Sequence, residues 1–182
     1  MNDLSEPTTP YVFWFTGLSG AGKSTVANAL MEVLDKECKW RCIQLDGDIL
    51  RTGLCSDLGF SEEDRHENQR RLREVVKLLL KTGTNVVVSF ISPFAHDRQI
   101  AREMLEDKQF IEIYVNTTLE QCEQRDPKGL YQKARAGQIK EFTGIDSPFE
   151  VPANPEIEIS GAGTTPDQSV SKILTYLKEL EA

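Results

Sequence analysis

Tyr11–Thr16 is an unbroken run of aromatic and β-branched residues, the pattern of a strand buried on both faces. Asn85–Ile91 repeats it with three consecutive valines, as suits the centre of a parallel sheet. Trp40–Leu45, Phe110–Asn116 and the short Glu156–Ile159 supply three further strand patterns. Between them the apolar period lengthens to that of a helix. Val26, Leu30, Val33 and Leu34 mark a helix over Thr25–Leu34. Leu72, Val75, Val76, Leu79 and Leu80 mark the second half of a longer helix over Ser61–Leu80, with Ser61-x-x-Asp64 as its capping box. Helices are also expected over Phe94–Glu106, from Thr117 to about Arg125, and over Pro166–Leu180. Strands that alternate with helices place the chain in the α/β class, with a mostly parallel central sheet flanked by helices in three layers.

One stretch breaks this rhythm. From Asp126 to Pro155 there is little periodicity, many glycines and prolines, and the basic run Lys128–Arg135. Some thirty irregular residues inside one domain are the signature of a functional lid, and Phe142, Ile145, Phe149 and Val151 give it apolar groups to bury. Residues 1–10 are polar and acidic and are expected to be a disordered leader. The remainder, 11–182, reads as a single domain with its lid at about 126–155.

At the first strand–helix junction stands Gly17-Leu18-Ser19-Gly20-Ala21-Gly22-Lys23-Ser24, which satisfies G-x-x-x-x-G-K-[ST] in its proper context. Glycines allow a turn tight enough to aim successive N–H groups at a polyphosphate. The following helix adds the partial positive charge of its N-terminus. Lys23 can reach the β- and γ-phosphates, and Ser24 can offer its hydroxyl to Mg²⁺. The chain therefore binds a nucleoside triphosphate.

Composition narrows the company this loop keeps. In 182 residues the formal net charge is −8, which argues against nucleic-acid affinity, and no apolar run approaches a membrane span. The start of the chain lacks the layout of a signal peptide, and cytoplasm is the expected location. Four cysteines without a C-x-x-C pair and two histidines make no zinc site. An anionic ligand then needs basic residues gathered locally. Arg51, Arg65, Arg70 and Arg71 cluster around the start of the long helix, where Arg65 and Asn68 share a face. Arginine forks suit phosphate or sulfate oxygens.

Strand ends carry the remaining chemistry, because ligands in open α/β sheets bind beyond the strands' carboxyl ends. Trp40–Leu45 runs into Asp46-Gly47-Asp48, one acid of which is expected to handle Mg²⁺ or an acceptor hydroxyl. Asn85–Ile91 ends in Ser92-Pro93 with no acid, so the aspartate that usually follows the third strand of a GTPase or motor ATPase is missing, and Asp48 is considered in its place.

Taken together, the phosphate loop, D-G-D-x-x-R, D-L-G-F-S-x-x-D-R-x-E-N, the F-I-S-P strand end, R-D-P-K-G-L-Y-x-K-A-R, K-E-F-T-G-I and N-P-E resemble the adenylylsulfate (APS) kinase family, in order from Thr16 to Ile159. The resemblance implies a P-loop kinase fold and transfer of the ATP γ-phosphoryl, with Mg²⁺, to the 3′-hydroxyl of adenosine 5′-phosphosulfate (APS). It implies that Gly17 to Thr25 hold ATP with Arg125 beside it, that Lys23 and Asp48 are catalytic, and that Ser24 and Asp48 hold the metal. Asp46, Arg51, Arg65 and Asn68 match acceptor-site positions, Phe60 and Phe149 the aromatics that sandwich adenine, and Ile91 and Ser92 the pocket wall. Ser92 also matches a serine given in the family as a phosphoenzyme. Lys128, Gly129, Leu130 and Lys133 match the lid. A homodimer and a functional link to ATP sulfurylase are implied as well. Three positions depart from the pattern: Ile49 where asparagine is usual, His66 where asparagine is usual, and Gln69 where isoleucine is usual. A different small-molecule kinase of the P-loop class is the competing expectation, and a non-catalytic nucleotide-binding module is another.

Overall fold

The two apolar sets of the first strand decide how the molecule is layered. In β1 (Val12–Thr16) Val12 and Trp14 point to one face of the sheet, and Phe13 and Phe15 to the other, as a period of two requires. All five residues are buried, so both faces must be covered. The computed structural model describes residues 4–106, 108–161 and 163–181.

Helix α1 (Lys23–Lys36) covers one face together with α7 (Pro166–Glu181), where Leu30, Leu34, Ile173 and Leu177 meet Phe13, Ile111 and Ile113. On the other face α3 (Glu62–Leu80) and α4 (Ala95–Glu103) bring Leu72, Val76 and Ala101 against Val12, Trp14, Val86 and Val88. The sheet also contains β2 (Cys42–Asp46), β3 (Asn85–Ser89), β4 (Phe110–Asn116) and β5 (Ile157–Ser160). Its order is β2-β3-β1-β4-β5, and every pairing is parallel. This is the expected three-layer α/β fold, parallel throughout among the described residues.

Two short helices were not legible in the pattern. Gly47–Arg51 forms α2, because Asp46 acts as its N-cap and accepts from the Asp48 N–H at 2.9 Å. The D-G-D stretch is thus a helix start rather than a turn. Within the expected lid segment Leu130–Arg135 forms α6, with Gly129 at its N-cap; the two carboxylate oxygens of Asp126 accept from the first-turn groups Tyr131 N at 3.1 Å and Gln132 N at 3.0 Å. Helix α5 (Leu119–Arg125) lies just before it and carries a complete capping box of Thr118 and Gln121. The box expected at Ser61 forms only by half. Ser61 accepts from Asp64 N at 3.2 Å, while Asp64 turns to the Gly59 N–H at 2.8 Å.

The leader also corrects an expectation. Met1–Asp3 lie outside the described residues, but Leu4 is 5% exposed and joins the α1–α7 core. Trp40 Nε1 donates to the Leu4 carbonyl at 3.3 Å, and Arg41 N to Glu6 Oε1 at 2.7 Å. Apolar burial, invisible in a polar stretch with one leucine, ties the segment down. Truncation by Leu4→Ala is expected to lower unfolding stability by about 2 kcal/mol, read as a shift of the denaturation midpoint with the slope unchanged; an unshifted midpoint would show that the segment contributes no packing.

Candidate active site

All five strands point their carboxyl ends the same way, and there a cavity of about 710 Å³ opens. The phosphate loop forms one wall. Its path needs glycine at Gly17, where φ is +145° and a Cβ would stand 2.7 Å from the Val115 carbonyl oxygen. Gly22, at φ +108°, N-caps α1 without a side chain, leaving the helix N-terminus open toward the cavity. Thr117 Oγ1 secures the loop from outside by donating to the Ala21 carbonyl at 2.9 Å.

Lys23 is buried inside this loop and donates to the carbonyls of Gly17 at 2.9 Å and Leu18 at 2.7 Å. Burial pulls its pKa down to about 8, against the pull of Cys122, Asp46 and Asp48. A cation so poorly hydrated gains from an incoming phosphate.

Ser24, the first-turn hydroxyl of α1, donates to Asp46 Oδ2 at 2.8 Å. The same oxygen accepts from Ser89 Oγ at 2.8 Å, and Asp46 pairs in register with Ser89 across β2 and β3. Burial pushes the Asp46 carboxyl up, but Ser89, Ser24 and the N–H groups of Asp48 and Ile49 outweigh it and hold it below the usual range. The acid missing from the end of β3 therefore stands one strand away, at the end of β2, and Ser89 delivers it. Ser24 thus meets Asp46, while the exposed Asp48 carboxylate pairs with Lys128. Ser24 and Asp46 present two hard oxygen atoms side by side, the donor set that Mg²⁺ takes alongside phosphate oxygens and water.

The opposite wall is built on α2 and α3. Arg51 donates to the carbonyls of Leu58 at 3.1 Å and Gly59 at 2.8 Å, and its guanidinium lies 4.4 Å from the Phe60 ring centroid. Arg65 donates through Nε to the Phe60 carbonyl at 2.9 Å and through Nη2 to the Glu141 carbonyl at 2.6 Å. Burial depresses the pKa of both guanidiniums, and an anion between them would relieve that cost. Asn68 lines the same space, 3% exposed, and its Nδ2 has no partner.

Most expected residues meet here. Ser19, Gly20, Gly22, Thr25, Ile91, Lys128 and Leu130 all line the cavity. Ala21, Gly17 and Leu18 lie outside it as the loop's supporting backbone. Five other residues are placed differently. Phe149 is remote, stacked on Tyr114 with centroids 6.1 Å apart, and the lid aromatic that lines the cavity is Phe142. Arg125, at the end of α5, donates to the Gly161 carbonyl and does not line the cavity. Gly129 and Lys133 also lie off the cavity, Lys133 on the exposed side of α6. Ser92 lines the wall at 1% exposure, but its hydroxyl accepts from Trp14 Nε1 at 3.1 Å and donates to Gln69 Oε1 at 3.3 Å. Both hydrogen bonds tie the hydroxyl to framework side chains. Gln69, a departure from the family pattern, is what holds it. His66, the other helical departure, turns away to Asp97, Nδ1 to Oδ2 2.6 Å, and joins α3 to α4. Ile49 is exposed at the rim.

Pro127, Lys128, Leu130 and residues 139–143, from the segment expected to be a lid, border this arrangement. Tyr131 donates its hydroxyl to the Ser19 carbonyl at 2.8 Å and packs edge-on against Phe142, centroids 4.9 Å apart. Phe142 falls within K-E-F-T-G-I, but a segment without periodicity does not say which of its two phenylalanines faces inward.

A phosphate-cradling loop on a parallel sheet, with an acid at the neighbouring strand end and a basic lid, defines a P-loop phosphotransferase. The adenylylsulphate kinase family profile matches residues 9–160, and the chain belongs to that family. A curated relative, the adenylyl-sulfate kinase of Marinobacter nauticus, is 54% identical over 94% of this chain and 86% of its own. That of Staphylococcus epidermidis is 55% identical over 93% and 85%. Among solved structures, the Mycobacterium tuberculosis APS kinase CysC in complex with AMPPNP and APS superimposes with a TM-score of 0.87 at 46% identity, over 94% of this chain and 99% of that one. A hexameric APS kinase from Thiobacillus denitrificans matches with a TM-score of 0.72 at 33% identity, over 94% of this chain and 29% of that one.

Lys23 and Asp46 generate two expectations. The Lys23 proton is held below pH 8 and lost above it, and phosphate binds the charged form. Nucleotide affinity should therefore be constant below pH 8 and weaken by up to about tenfold per unit above it; calorimetric titration with a non-hydrolysable ATP analogue checks this, and a flat profile from pH 7 to 9.5 contradicts it. Asp46→Ala should raise the Mg²⁺ requirement of catalysis by at least about tenfold, whereas Asp48→Ala should lower kcat with a smaller change in that requirement. Magnesium-dependence curves of the two variants separate the roles.

Proposed function

We propose that this protein transfers the γ-phosphoryl of ATP to the 3′-hydroxyl of adenosine 5′-phosphosulfate, giving 3′-phosphoadenosine 5′-phosphosulfate. The observation that carries the reading is the juxtaposition, in one cavity, of the phosphate loop with Arg51, Arg65, Asn68 and Phe60. The acceptor has a flat base and an anionic mixed anhydride. Phe60 and Phe142 offer aromatic faces to the base, and the two guanidiniums suit the anhydride.

Phosphoryl transfer asks mainly for positioning and charge compensation. The loop N–H groups, the α1 N-terminus and Lys23 receive the donor phosphates. Ser24 and Asp46 would hold Mg²⁺, which supplies charge neutralisation between the phosphates when bound. Asp48 lies beside this group, and its carboxylate orients the acceptor hydroxyl and takes its proton as the oxygen–phosphorus bond forms and the bond to the β–γ bridging oxygen breaks. Lys128, now paired with Asp48, is placed to follow the charge onto the transferring group. The lid excludes water. Arg125 at the outer edge of the loop is assigned to the donor nucleotide, and Lys133 and Gly129 to the geometry of the lid.

We also assign the chain to the cytoplasm as a self-associating enzyme, most simply a dimer, fed by an ATP sulfurylase that makes the labile acceptor. A single domain onto which residues 4–10 pack, with a lid at about 126–155, completes the reading.

Purified protein given MgATP and APS should form the 3′-phosphorylated product and ADP in equal amounts. Phosphorylation of gluconate or nucleoside monophosphates with APS left intact would overturn the reading. Arg65→Ala should raise the KM for APS by about tenfold or more, the worth of a charge-assisted hydrogen bond, and leave the KM for ATP within about twofold. Equal changes in both constants would remove Arg65 from the acceptor.

A further inference from the structure

The acceptor wall grows more buried from the mouth of the cavity inward. Phe60, just before α3, is half exposed, Arg65 is buried, and Asn68 and Gln69 are each 3% exposed. Asn68 and Gln69 therefore belong to the floor. Gln69 is also where this chain departs from its family, whose usual residue at that position is isoleucine. Isoleucine would leave this part of the floor apolar. Glutamine puts a carboxamide there, with an oxygen that accepts and a nitrogen that donates twice. Burying such a group is costly unless both of its ends find partners.

The oxygen has one. Trp14 Nε1, which can only donate, gives its hydrogen to Ser92 Oγ at 3.1 Å, and the Ser92 hydroxyl passes its own hydrogen to Gln69 Oε1 at 3.3 Å. This relay fixes how the amide faces, with its oxygen on Ser92 and its nitrogen turned away. No acceptor among the described residues takes the Nε2 hydrogens of Gln69. The preceding residue, Asn68, buries an Nδ2 that is likewise without a partner. Two amide NH₂ groups thus stand at the floor without an acceptor, one helical turn beyond the Arg65 guanidinium. The missing partner is a ligand rich in acceptor oxygens.

The acceptor assigned above supplies one. With its base against Phe60 and Phe142, its tail runs inward past Arg65, and its terminal sulfuryl group meets the floor. That group spreads one negative charge over three oxygens, none of which is protonated at working pH. Neutral N–H donors satisfy such oxygens without adding another buried cation. We infer that Gln69 is a specificity-determining residue, its Nε2 donating to a terminal sulfuryl oxygen of the acceptor while Ser92 holds its Oε1. This deepens the proposed function and rests on it. The amide has no part in holding the donor or in the chemical step.

Gln69→Met keeps the length of the side chain and removes both polar ends. Gln69→Glu keeps an oxygen for the Ser92 hydroxyl and turns a second oxygen toward the ligand. With MgATP and APS, Gln69→Met should raise the KM for APS about 5–10-fold and leave kcat and the KM for ATP within about twofold. Gln69→Glu at pH 8 should raise the KM for APS further than Gln69→Met. A purely structural role through Ser92 predicts the reverse order, and that order overturns the inference, as do unchanged kinetics or equal losses in both KM values. Independently of turnover, APS and AMP can be titrated calorimetrically into protein saturated with Mg²⁺ and AMPPNP. Gln69→Met should weaken APS about 5–10-fold and AMP, which lacks the sulfuryl group, by less than about twofold. Equal losses for the two ligands, or no binding of APS to the parent, overturn the inference. If the parent forms no 3′-phosphorylated product while the titrations behave as stated, the reaction assigned above fails and Gln69 keeps its contact; product with an unchanged ratio of APS to AMP affinity leaves the reaction standing and removes Gln69 from it.

Discussion

The Asp46 carboxylate is the interaction on which the site depends. One oxygen receives the hydroxyls of Ser24 and Ser89, and the other receives the N–H of Asp48. These bonds join the first turn of α1, the end of β3 and the start of α2. The carboxylate therefore sets where the phosphate loop stands relative to the acceptor wall. Its charge survives partial burial because four hydrogen-bond donors offset the loss of water. Removing any one of them would leave a strand end or a helix start to find another anchor.

The same geometry puts a carboxylate at this sheet edge although β3 ends without an acid. In a parallel sheet the ends of neighbouring strands lie side by side, and Asp46 is directly across from Ser89. A serine in one strand and an aspartate in the next can place a carboxylate where a single longer side chain would otherwise reach. The lid works by similar substitution. It has few apolar residues to spend, so Tyr131 and Phe142 pack on each other and use a hydroxyl to hold Ser19, while Arg65 draws in the Glu141 carbonyl. Buried arginines with depressed pKa values and a buried lysine at about 8 show a site whose charges are left under-solvated. Anionic substrates complete it.

Behind the cavity a second buried network supports the wall. Arg98 of α4 pairs with Glu112 of β4 at 2.8 Å and donates to the carbonyls of Ser92 and Glu150, each at 2.7 Å. It connects the sheet, the strand end that carries Ser92 and the far end of the lid. Ser92 holds a left-handed φ of 45°, a strained value for a non-glycine residue, and these bonds fix it there. Its hydroxyl is consumed by Trp14 and Gln69 in the same framework, which is why it reads as architecture.

By itself, the sequence determined the parts that obey short periods and local chemistry. Buried strands announce themselves by continuous apolar runs, long helices by their stripes, and the phosphate loop by glycines that no other residue can replace at its φ values. Lys23, Ser24, Arg65 and Asn68 were legible this way, since each sits on a regular element whose face is countable; Phe60 and the role of Arg51 came only with the family resemblance. Tertiary structure alone decided what depends on packing across distance. Asp46 rather than Asp48 adjoins Ser24 because strand register, not sequence spacing, sets which acid reaches. Phe142 rather than Phe149 faces the cavity because the lid follows no period and takes its shape from the surfaces it meets. Leu4 is held because Trp40 and the α1–α7 core lie beneath it. Local rules fix which residues are helical, extended or turned; which of two nearby aspartates or phenylalanines enters a site is fixed only when the whole chain has folded around it.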